Sequence, residues 1–277
     1  MRIAIFYICT GRYEMFWNNF YKDCEEHFYP NIEKDYFVFT DSKKILTGKD
    51  KKVHPYFQVK SGWPYDTLMR FQWFLTVQDK MEDYDLCYYF NANSKFLKII
   101  DETVIKLPTE TEPLIFWCHT RHEQDYEGLT FHPERNPLST AFIPEGQACR
   151  CYGGGFYGGR ISEFMQMCQV LRDNIMKDMA NDIIAIWHDQ SHIIHYGINA
   201  PHMEVPFGLI SEEEYMYGDK CSLIFEAKKK YGGNDVMRGS SFAIRVKHIP
   251  TKIEAYLIVL LQKLHLYRVI KNILNKK

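Results

Sequence analysis

Two asparagines, Asn91 and Asn93, are the residues whose types and spacing point most directly to chemistry. They follow residues 84–90, a hydrophobic and aromatic run that is typical of a strand buried in an α/β sheet. The pair therefore stands where the sheet opens to solvent. Because Mg²⁺ and Mn²⁺ prefer charged oxygens to neutral amides, the pair is a poor set of metal ligands. We expect a site that holds no divalent metal and needs no cofactor.

Residues 187–190, Trp-His-Asp-Gln, combine an apolar ring with several hydrogen-bonding groups. A Trp face suits the C–H face of a hexose, while a carboxylate and an amide can hold its hydroxyls. Read alone, the same residues also fit a helix with an exposed polar turn.

Residues 153–159, Gly-Gly-Gly-Phe-Tyr-Gly-Gly, lack both the G-x-G-x-x-G pattern and the Lys-Ser/Thr that completes a P-loop. Glycine permits close approach of the backbone to other groups. A packed turn is one interpretation. The spacing from the aromatic run and from residues 187–190 favours the other, a wall of a sugar-binding site.

Positive charge occurs at two places that could meet phosphates. Arg70 lies on a predicted helix, and residues 228–238 form a basic, glycine-containing loop. An arginine can bind a diphosphate as a fork, and a basic loop can close over phosphates in place of a metal's charge. Solvated surface charge is the alternative interpretation for both.

The elements that must position these residues alternate between strands and helices. Hydrophobic runs predict strands at residues 2–9, 35–40, 84–90 and 113–118, and helical patterns cover residues 14–28, 65–82, 161–177 and 181–196. This alternation predicts an α/β fold with a largely parallel sheet and helices on both faces. Residues 119–152 lack periodicity and are predicted to form a long functional loop region.

Composition bounds the class of protein. A chain of 277 residues, 46% of them hydrophobic, suits one large domain with appendages. The formal net charge of −1 gives no case for nucleic-acid binding. The 8 cysteines have no paired C-x-x-C motifs, which favours buried free thiols in a reducing cytoplasm.

Taken together, these segments resemble glycosyltransferase family 6, the family of the histo-blood-group A and B transferases and α-1,3-galactosyltransferase, and above all its compact bacterial members. The resemblance covers roughly residues 1–240. The matching blocks are residues 8–13, 62–70, 90–93, 134–144, 152–159 and 187–191.

The resemblance implies a GT-A fold, with a Rossmann-like mixed sheet flanked by helices, and retaining transfer of Gal or GalNAc from a UDP-sugar to O3 of a galactose. The Asn91–Asn93 segment occupies the position of the family's Asp-x-Asp motif, and bacterial relatives with Asn-x-Asn there work without metal. The implied acceptor is an oligosaccharide of the 2′-fucosylgalactose type, bound by His119 and Trp187. The predicted donor-binding residues are Ile8, Cys9, Thr10, Gly11, Arg12, Tyr13, Arg70, Asn91, Ala92, Asn93, Gly153, Gly154, Gly155, His188, Asp189, Lys230 and Arg238.

Gly153 and Gly155 match the two positions that discriminate between donor sugars in this family. Because both residues are as small as possible, we expect room there for an acetamido group, which favours UDP-GalNAc over UDP-Gal. Small residues permit GalNAc but do not by themselves exclude Gal.

The sharpest departure from the family is Gln190, the predicted catalytic position, where relatives carry a glutamate. That glutamate is the proposed nucleophile or the stabiliser of oxocarbenium charge in retaining transfer. Gln190 fits a natural enzyme with UDP-assisted front-side transfer, an engineered knock-out that traps the donor, or a protein that binds sugar nucleotides with little turnover. An active family member, natural or altered, is favoured. Thr120, where relatives have proline, is a second departure.

The sequence changes character after about residue 240. Residues 253–270 are strongly apolar at helical spacing and have lysines and arginines around them. Such a basic amphipathic helix commonly lies on an anionic membrane surface, and packing on the protein body is the alternative. No run of apolar residues is long enough to span a membrane. We predict a catalytic domain over residues 1–240, a basic amphipathic tail over residues 241–277, and a cytoplasmic location with peripheral contact to the inner membrane face.

Overall fold

The computed structural model describes residues 1–119, 132–215 and 218–239 of the chain. Within these ranges the strands are β1 (Arg2–Ile8), β2 (Glu33–Thr40), β3 (Val53–Phe57), β4 (Leu86–Phe90), β5 (Ser94–Phe96), β6 (Leu114–Cys118), β7 (Tyr152–Arg160), β8 (His202–Glu204), β9 (Ile210–Glu212) and β10 (Leu223–Phe225). The α-helices are α1 (Trp17–His27), α2 (Lys43–Leu46), α3 (Tyr65–Leu68), α4 (Arg70–Leu75), α5 (Ile161–Ala180), α6 (Asp189–Gly197) and α7 (Gly233–Arg238). Short 3-10 helices cover Gly11–Phe16, Gln78–Lys80, Glu213–Tyr215, Gly218–Lys220 and Lys228–Tyr231.

A seven-stranded mixed sheet in the order β3-β2-β1-β4-β7-β6-β8 forms the centre of the protein. β1 pairs in parallel with both β2 and β4, so the carboxyl ends of these three strands meet at one edge. β7 runs antiparallel between β4 and β6, which brings its amino end to the same edge. Residues 9–13, 91–93 and 153–155 therefore enter or leave the sheet side by side.

Side chains that alternate across the sheet build a core on each of its faces. On one face, Tyr7 and Phe90 pack with α1 and with a small sheet ordered β5-β10-β9. On the other face, Phe6 packs against Phe74 of α4 and Phe164 of α5, with ring centroids 4.9 and 5.8 Å apart. The predicted α/β fold with a mixed sheet flanked by helices is confirmed, and it is consistent with a GT-A-like glycosyltransferase fold.

Most predicted elements are present in the structure. The four strand predictions correspond to β1, β2, β4 and β6. The pattern at residues 14–28 becomes a 3-10 helix followed by α1, the pattern at 65–82 becomes α3, α4 and a 3-10 helix, and the pattern at 161–177 lies within α5. β3, β8 and the small sheet were not predicted, because their strands are short and lack continuous hydrophobic runs.

The prediction of one helix over residues 181–196 is wrong in its first half. α5 ends at Ala180, and the chain then turns, since Ile183 N–H donates to the Asp178 carbonyl at 2.9 Å. Further along, Ile186 N–H donates to the Glu134 carboxylate at 2.7 Å instead of to a helical carbonyl. These tertiary bonds delay the helix, and α6 begins only at Asp189.

All 8 cysteines lie in the described ranges and are buried free thiols, as the sequence predicted. None of the described helices has the length and apolar character that a membrane crossing requires. Thr120 and the predicted tail, residues 241–277, lie outside the described residues.

Candidate active site

A cavity of about 470 Å³ opens at the edge where β1 and β4 end and β7 begins. It brings together residues that are far apart in the sequence and were predicted to share one site. The predicted residues that line it are Ile8, Thr10, Tyr13, Arg70, Asn91, Ala92, Asn93, His119, Gly154, Gly155, Asp189, Gln190 and Arg238.

The other predicted residues lie near this cavity without lining it. Cys9 is buried in the core, and its carbonyl accepts a hydrogen bond from the Thr40 hydroxyl at 2.9 Å. Gly11 and Arg12 line a neighbouring groove. Four further predicted residues each contact a residue that lines the cavity: Gly153, His188, Lys230 and Trp187.

A buried ion pair between Arg70 and Asp189 forms one wall of the cavity. Arg70 Nη1 lies 3.2 Å from Asp189 Oδ2, and the two side chains are only 6% and 7% exposed. The same nitrogen donates to the Gly154 carbonyl at 2.6 Å, and Nε donates to the Thr67 carbonyl at 3.1 Å. The Arg70 guanidinium also lies 4.8 Å above the ring of Tyr89. These contacts fix Arg70 where α4 begins.

Burial and pairing act in opposite directions on the pKa values of the two groups. Burial alone lowers the pKa of Arg70, but Asp189 and the neighbouring tyrosines outweigh this and raise it. Burial raises the pKa of Asp189, and the Arg70 charge opposes that rise. Within the described residues, Asp189 Oδ2 accepts no hydrogen bond. Asp189 thus has a buried oxygen next to a cation that is free to accept a further hydrogen bond, and the residue lines the cavity.

His188 sets the direction in which α6 enters the site. Its φ of 56° is in a region that residues other than glycine rarely adopt, and such strain clusters at functional sites. Its ring packs 4.6 Å from the ring of Trp63, and burial lowers its pKa to about 4, so it is neutral near pH 7. This corner turns the chain so that Asp189 and Gln190 both line the cavity.

Gln190, the predicted catalytic position, lines the cavity beside Asp189. Its backbone N–H donates to the Trp187 carbonyl at 3.1 Å, and its side-chain Nε2 donates to Cys151 Sγ at 3.8 Å. Burial raises the pKa of the Cys151 thiol, which stays protonated. The amide at position 190 is thus held by a neutral sulfur and offers its oxygen as a neutral acceptor.

The amides of Asn91 and Asn93 are held mainly by the protein itself. Asn91 Oδ1 accepts a bond from the Tyr89 hydroxyl at 3.3 Å, and Asn91 N–H donates to the Gly155 carbonyl at 2.8 Å. Asn93 Nδ2 donates to the Glu226 carbonyl at 2.7 Å. These neutral groups do not suit a divalent cation. The described residues also contain no group of three His, Cys, Asp or Glu side chains placed to hold one.

Lys228 and Lys229, rather than the predicted Lys230, line the cavity. Lys229 lies 2.5 Å from Glu214, Lys230 pairs with Glu213, and both lysine side chains are more than half exposed. Lys228 is half-buried, with Nζ 5.5 Å from the ring centroid of Tyr13. Burial, helped by the charges of Arg238 and Arg70, lowers its pKa to about 8, while Glu212 acts in the opposite direction.

Arg238 closes the same side of the cavity from α7. Its guanidinium lies 4.7 Å above the ring of Trp63, and it also hydrogen-bonds to Tyr13. Arg70, Lys228 and Arg238 thus come from three separate elements and line one cavity. This arrangement suits a ligand with two negative phosphates.

Aromatic rings fill the space beside the glycines of β7. A Cβ on Gly153 would lie 2.3 Å from Trp117 Cε3 and 2.6 Å from His119 Nε2, and a Cβ on Gly155 would lie 2.7 Å from Phe225 Cζ. The room that we expected at these two glycines is therefore occupied. Gly154 has another role, since a Cβ there would lie 3.0 Å from Asp189 Oδ2.

The two predicted acceptor-binding residues differ in their surroundings. His119 lines the cavity, its ring lies 4.0 Å from that of Trp117, and burial lowers its pKa to about 4. Trp187 does not line the cavity. Its Nε1 donates to the His132 carbonyl at 2.7 Å, which ties the turn before α6 to the loop at residue 132.

Glu134 holds the site together from behind and was not predicted as a site residue. It is 2% exposed, and its two oxygens accept bonds from Asn136 N–H and Ile186 N–H, both at 2.7 Å. Burial raises its pKa, and these backbone bonds oppose that rise. Glu134 therefore joins the loop around residue 134 to the segment that leads into Asp189. Its place within block 134–144 was the only sequence signal.

Comparison with known proteins agrees with this geometry. The sequence model of glycosyltransferase family 6 matches residues 1–224. The O-antigen biosynthesis glycosyltransferase WbnI of Escherichia coli is 34% identical over 71% of this chain and 82% of its own length. The globoside alpha-1,3-N-acetylgalactosaminyltransferase 1 of Gallus gallus is 24% identical over 79% of this chain, and histo-blood group ABO system transferase 1 of Rattus norvegicus is 25% identical over 70%. The matches span only 63% and 56% of these two animal proteins.

Proposed function

Because the chain belongs to glycosyltransferase family 6, we propose that it moves GalNAc from UDP-GalNAc to O3 of a fucosylated galactose, with retention, to form an α-1,3 linkage. The observation that supports this most is the buried Arg70–Asp189 pair in a cavity that also contains Lys228 and Arg238. The pair provides a hydroxyl-binding carboxylate, and the cations provide a place for the diphosphate. The globoside relatives, which are named as alpha-1,3-N-acetylgalactosaminyltransferases, support the linkage and the donor.

The cavity offers two chemically different ends for such a donor. Ile8, Thr10 and Tyr13 lie where β1 ends and provide apolar and hydroxyl contacts for a uridine. Asp189, Gln190 and Gly154 lie where β7 begins, and they fit the hydroxyls of the transferred sugar. The acceptor then enters beside His119, whose imidazole is neutral and can donate or accept one hydrogen bond.

The proposed transfer requires no divalent metal. As UDP leaves, negative charge grows on the diphosphate, and preorganised cations in a partly buried site stabilise that charge. Arg70 keeps its charge throughout, and Lys228 and Arg238 add to it. Asn91 and Asn93 contribute neutral hydrogen bonds.

Gln190 limits the mechanism to routes without a covalent carboxylate intermediate at that position. A glutamine amide cannot form a glycosyl ester, but it can orient the sugar by hydrogen bonding. We propose front-side transfer, in which the acceptor hydroxyl attacks the face that UDP leaves and passes its proton to the leaving diphosphate. The alternative is a sugar-nucleotide-binding protein that Gln190 has made inactive.

UDP-Gal is a second candidate donor, and one specific observation favours it. The rings of Trp117 and His119 occupy the space beside Gly153, so the glycines do not by themselves provide room for an acetamido group. An α-1,3-galactosyltransferase fits this packing at least as well.

One experiment tests the donor, the linkage and the metal together. The protein is incubated with UDP-GalNAc or UDP-Gal, a 2′-fucosylgalactoside acceptor and excess EDTA, and the product is analysed by mass spectrometry and NMR. We expect an α-1,3-GalNAc product with EDTA present. If only a Gal product forms, UDP-Gal replaces UDP-GalNAc as the proposed donor. A strict requirement for Mn²⁺ would overturn the metal-free mechanism. No product with either sugar would leave only the binding function.

A cytoplasmic enzyme with a membrane-surface tail remains our proposal for location. The basis is the basic amphipathic pattern of residues 253–270. Deletion of residues 246–277 is expected to abolish binding to anionic vesicles in a flotation assay. Unchanged flotation would contradict a role for the tail.

A further inference from the structure

The two glycines that match the family's donor-discriminating positions have no side chains, so another residue must form that wall of the cavity. The distances from these glycines to the neighbouring rings show which residue does so. A Cβ at position 153 would overlap Trp117, with Cε3 at 2.3 Å and Cζ3 at 2.4 Å. The six-membered ring of Trp117 therefore stands where a side chain at position 153 would stand.

Trp117 is held rigidly in this place. Its Nε1 donates to the Ile210 carbonyl at 2.9 Å, which ties β6 to the small sheet. Its ring also packs against His119 and Phe225, with centroids 4.0 and 4.9 Å away. The side chain is 5% exposed and still lines the cavity together with Asp189 and Gln190. A fixed, buried ring that borders a ligand site can exclude a substituent that a flexible side chain would admit.

The surroundings of Gly155 lead to the same conclusion. A Cβ on Gly155 would point at the ring of Phe225. In the small sheet, Phe225 of β10 is the register partner of Glu212 of β9. Trp117 and Phe225 are in contact, so the two glycines meet one continuous aromatic surface. Of these two rings, Trp117 is the one that reaches His119 and position 153.

We propose that Trp117, rather than either glycine, determines which substituent the cavity accepts on the transferred sugar. A side chain of β6 thus limits the size of the sugar substituent, a role that a side chain of β7 would otherwise have. The inference rests on the proposed function, because it assumes that a UDP-hexose occupies this cavity. It predicts that shortening Trp117 favours the larger acetamido sugar, whichever donor the natural protein prefers.

The test compares the ratio of kcat/KM for UDP-GalNAc to kcat/KM for UDP-Gal in a set of variants. Trp117→Ala is expected to raise this ratio by roughly tenfold, the order that a hydrophobic pocket achieves per added group. Trp117→Leu is expected to raise it by less. Trp73→Ala is the matched control, because Trp73 is also buried but packs in the core on the other face of the sheet.

A reciprocal exchange makes the test stricter. Gly153→Leu alone is expected to abolish donor binding, because the new side chain meets the Trp117 ring. Gly153→Leu combined with Trp117→Ala is expected to regain donor binding and to lower the ratio again towards that of the natural protein. Such recovery requires the two positions to share one space.

Different outcomes separate this inference from the proposed function. An unchanged ratio in folded Trp117→Ala and Trp117→Leu, with transfer still measurable, would overturn the role of Trp117. If no variant transfers either sugar, the transferase proposal fails, and the Kd values of UDP-GalNAc and UDP-Gal from calorimetry decide the role of Trp117 by the same ratio. Equal Kd ratios in the natural protein and in Trp117→Leu would then reject it.

Discussion

The decrease in Lys228 charge between pH 7 and pH 9 is expected to weaken UDP binding about tenfold, so the pH dependence of binding should show the role of this charge without any mutation. With a pKa of about 8, Lys228 is about nine-tenths charged at pH 7 and about one-tenth charged at pH 9. The terminal phosphate of UDP has a pKa of about 6, so the charge of the ligand changes little over this range. If the diphosphate binds only the charged lysine, the Kd for UDP rises about tenfold between these pH values, or about 1.4 kcal/mol.

The direction in which the pKa of Lys228 changes on UDP binding follows from the groups around this residue. Burial lowers its pKa in the free protein, and the positive charges of Arg238 and Arg70 lower it further because they repel its ammonium group. A bound diphosphate reverses that repulsion and raises the pKa of Lys228 above its free value, so binding takes up protons above pH 8. Tyr13, whose ring lies 5.5 Å from Lys228 Nζ, has a raised pKa and stays neutral over this pH range.

Isothermal titration calorimetry at pH 7, 8 and 9 in EDTA measures this effect. Lys228→Met should bind UDP at least tenfold more weakly at pH 7 and should lose most of the pH dependence. Lys230→Met is the matched control, since the Lys230 side chain is 51% exposed, pairs with Glu213 and does not line the cavity. Uridine, which lacks phosphate, should bind with little pH dependence. Lys228→Met with natural affinity and slope would refute the reasoning.

Three further predictions follow from buried groups. His119 and His188 have pKa values of about 4 in the folded protein and are therefore neutral at pH 7. The free energy of unfolding should fall as pH drops from about 6.5 towards 4, by up to about 2 kcal/mol for each histidine at pH 5. Equal urea midpoints at pH 7.5 and pH 5 would contradict this. Glu134→Gln turns one acceptor into a donor that faces a backbone N–H, so we expect the free energy of unfolding to fall by about 1.5–3 kcal/mol. The melting temperature and kcat should fall with it. Glu145→Gln, on the exposed part of the same loop, should leave all three quantities unchanged. Gln190→Glu should raise transfer in EDTA if a carboxylate is the missing part, and a rate that stays negligible in the mass-spectrometric assay would show that it is not.

The sequence predicted those parts of the fold in which local pattern and tertiary environment agree. β1, β4 and β6 are continuous hydrophobic runs, and they are buried on both faces of the sheet. β7 was not predicted as a strand, because it is rich in glycine and glycine has low strand propensity. Its neighbours explain the glycines: a Cβ at Gly158 would lie 2.4 Å from Tyr88 Cδ1, so only a residue without a side chain fits beside that ring.

The site could be predicted at the level of segments and not always at the level of single residues. Three consecutive lysines are equivalent in the sequence, and only the structure shows that Lys228 and Lys229 line the cavity whereas Lys230 does not. Glu134 and Trp117 act through contacts with residues more than fifty positions away, and a single sequence gives no sign of such contacts.

The glycines at the start of β7 divide the functions of the site between two sides of one strand. Gly154 faces the Arg70–Asp189 pair, whereas Gly153 and Gly155 face the rings of Trp117 and Phe225. Substitutions on the aromatic side can therefore reshape the cavity while the ion pair on the opposite side keeps its geometry. Under the proposed function, such a strand can change the donor that it accepts in small evolutionary steps, because each step leaves the ion pair intact.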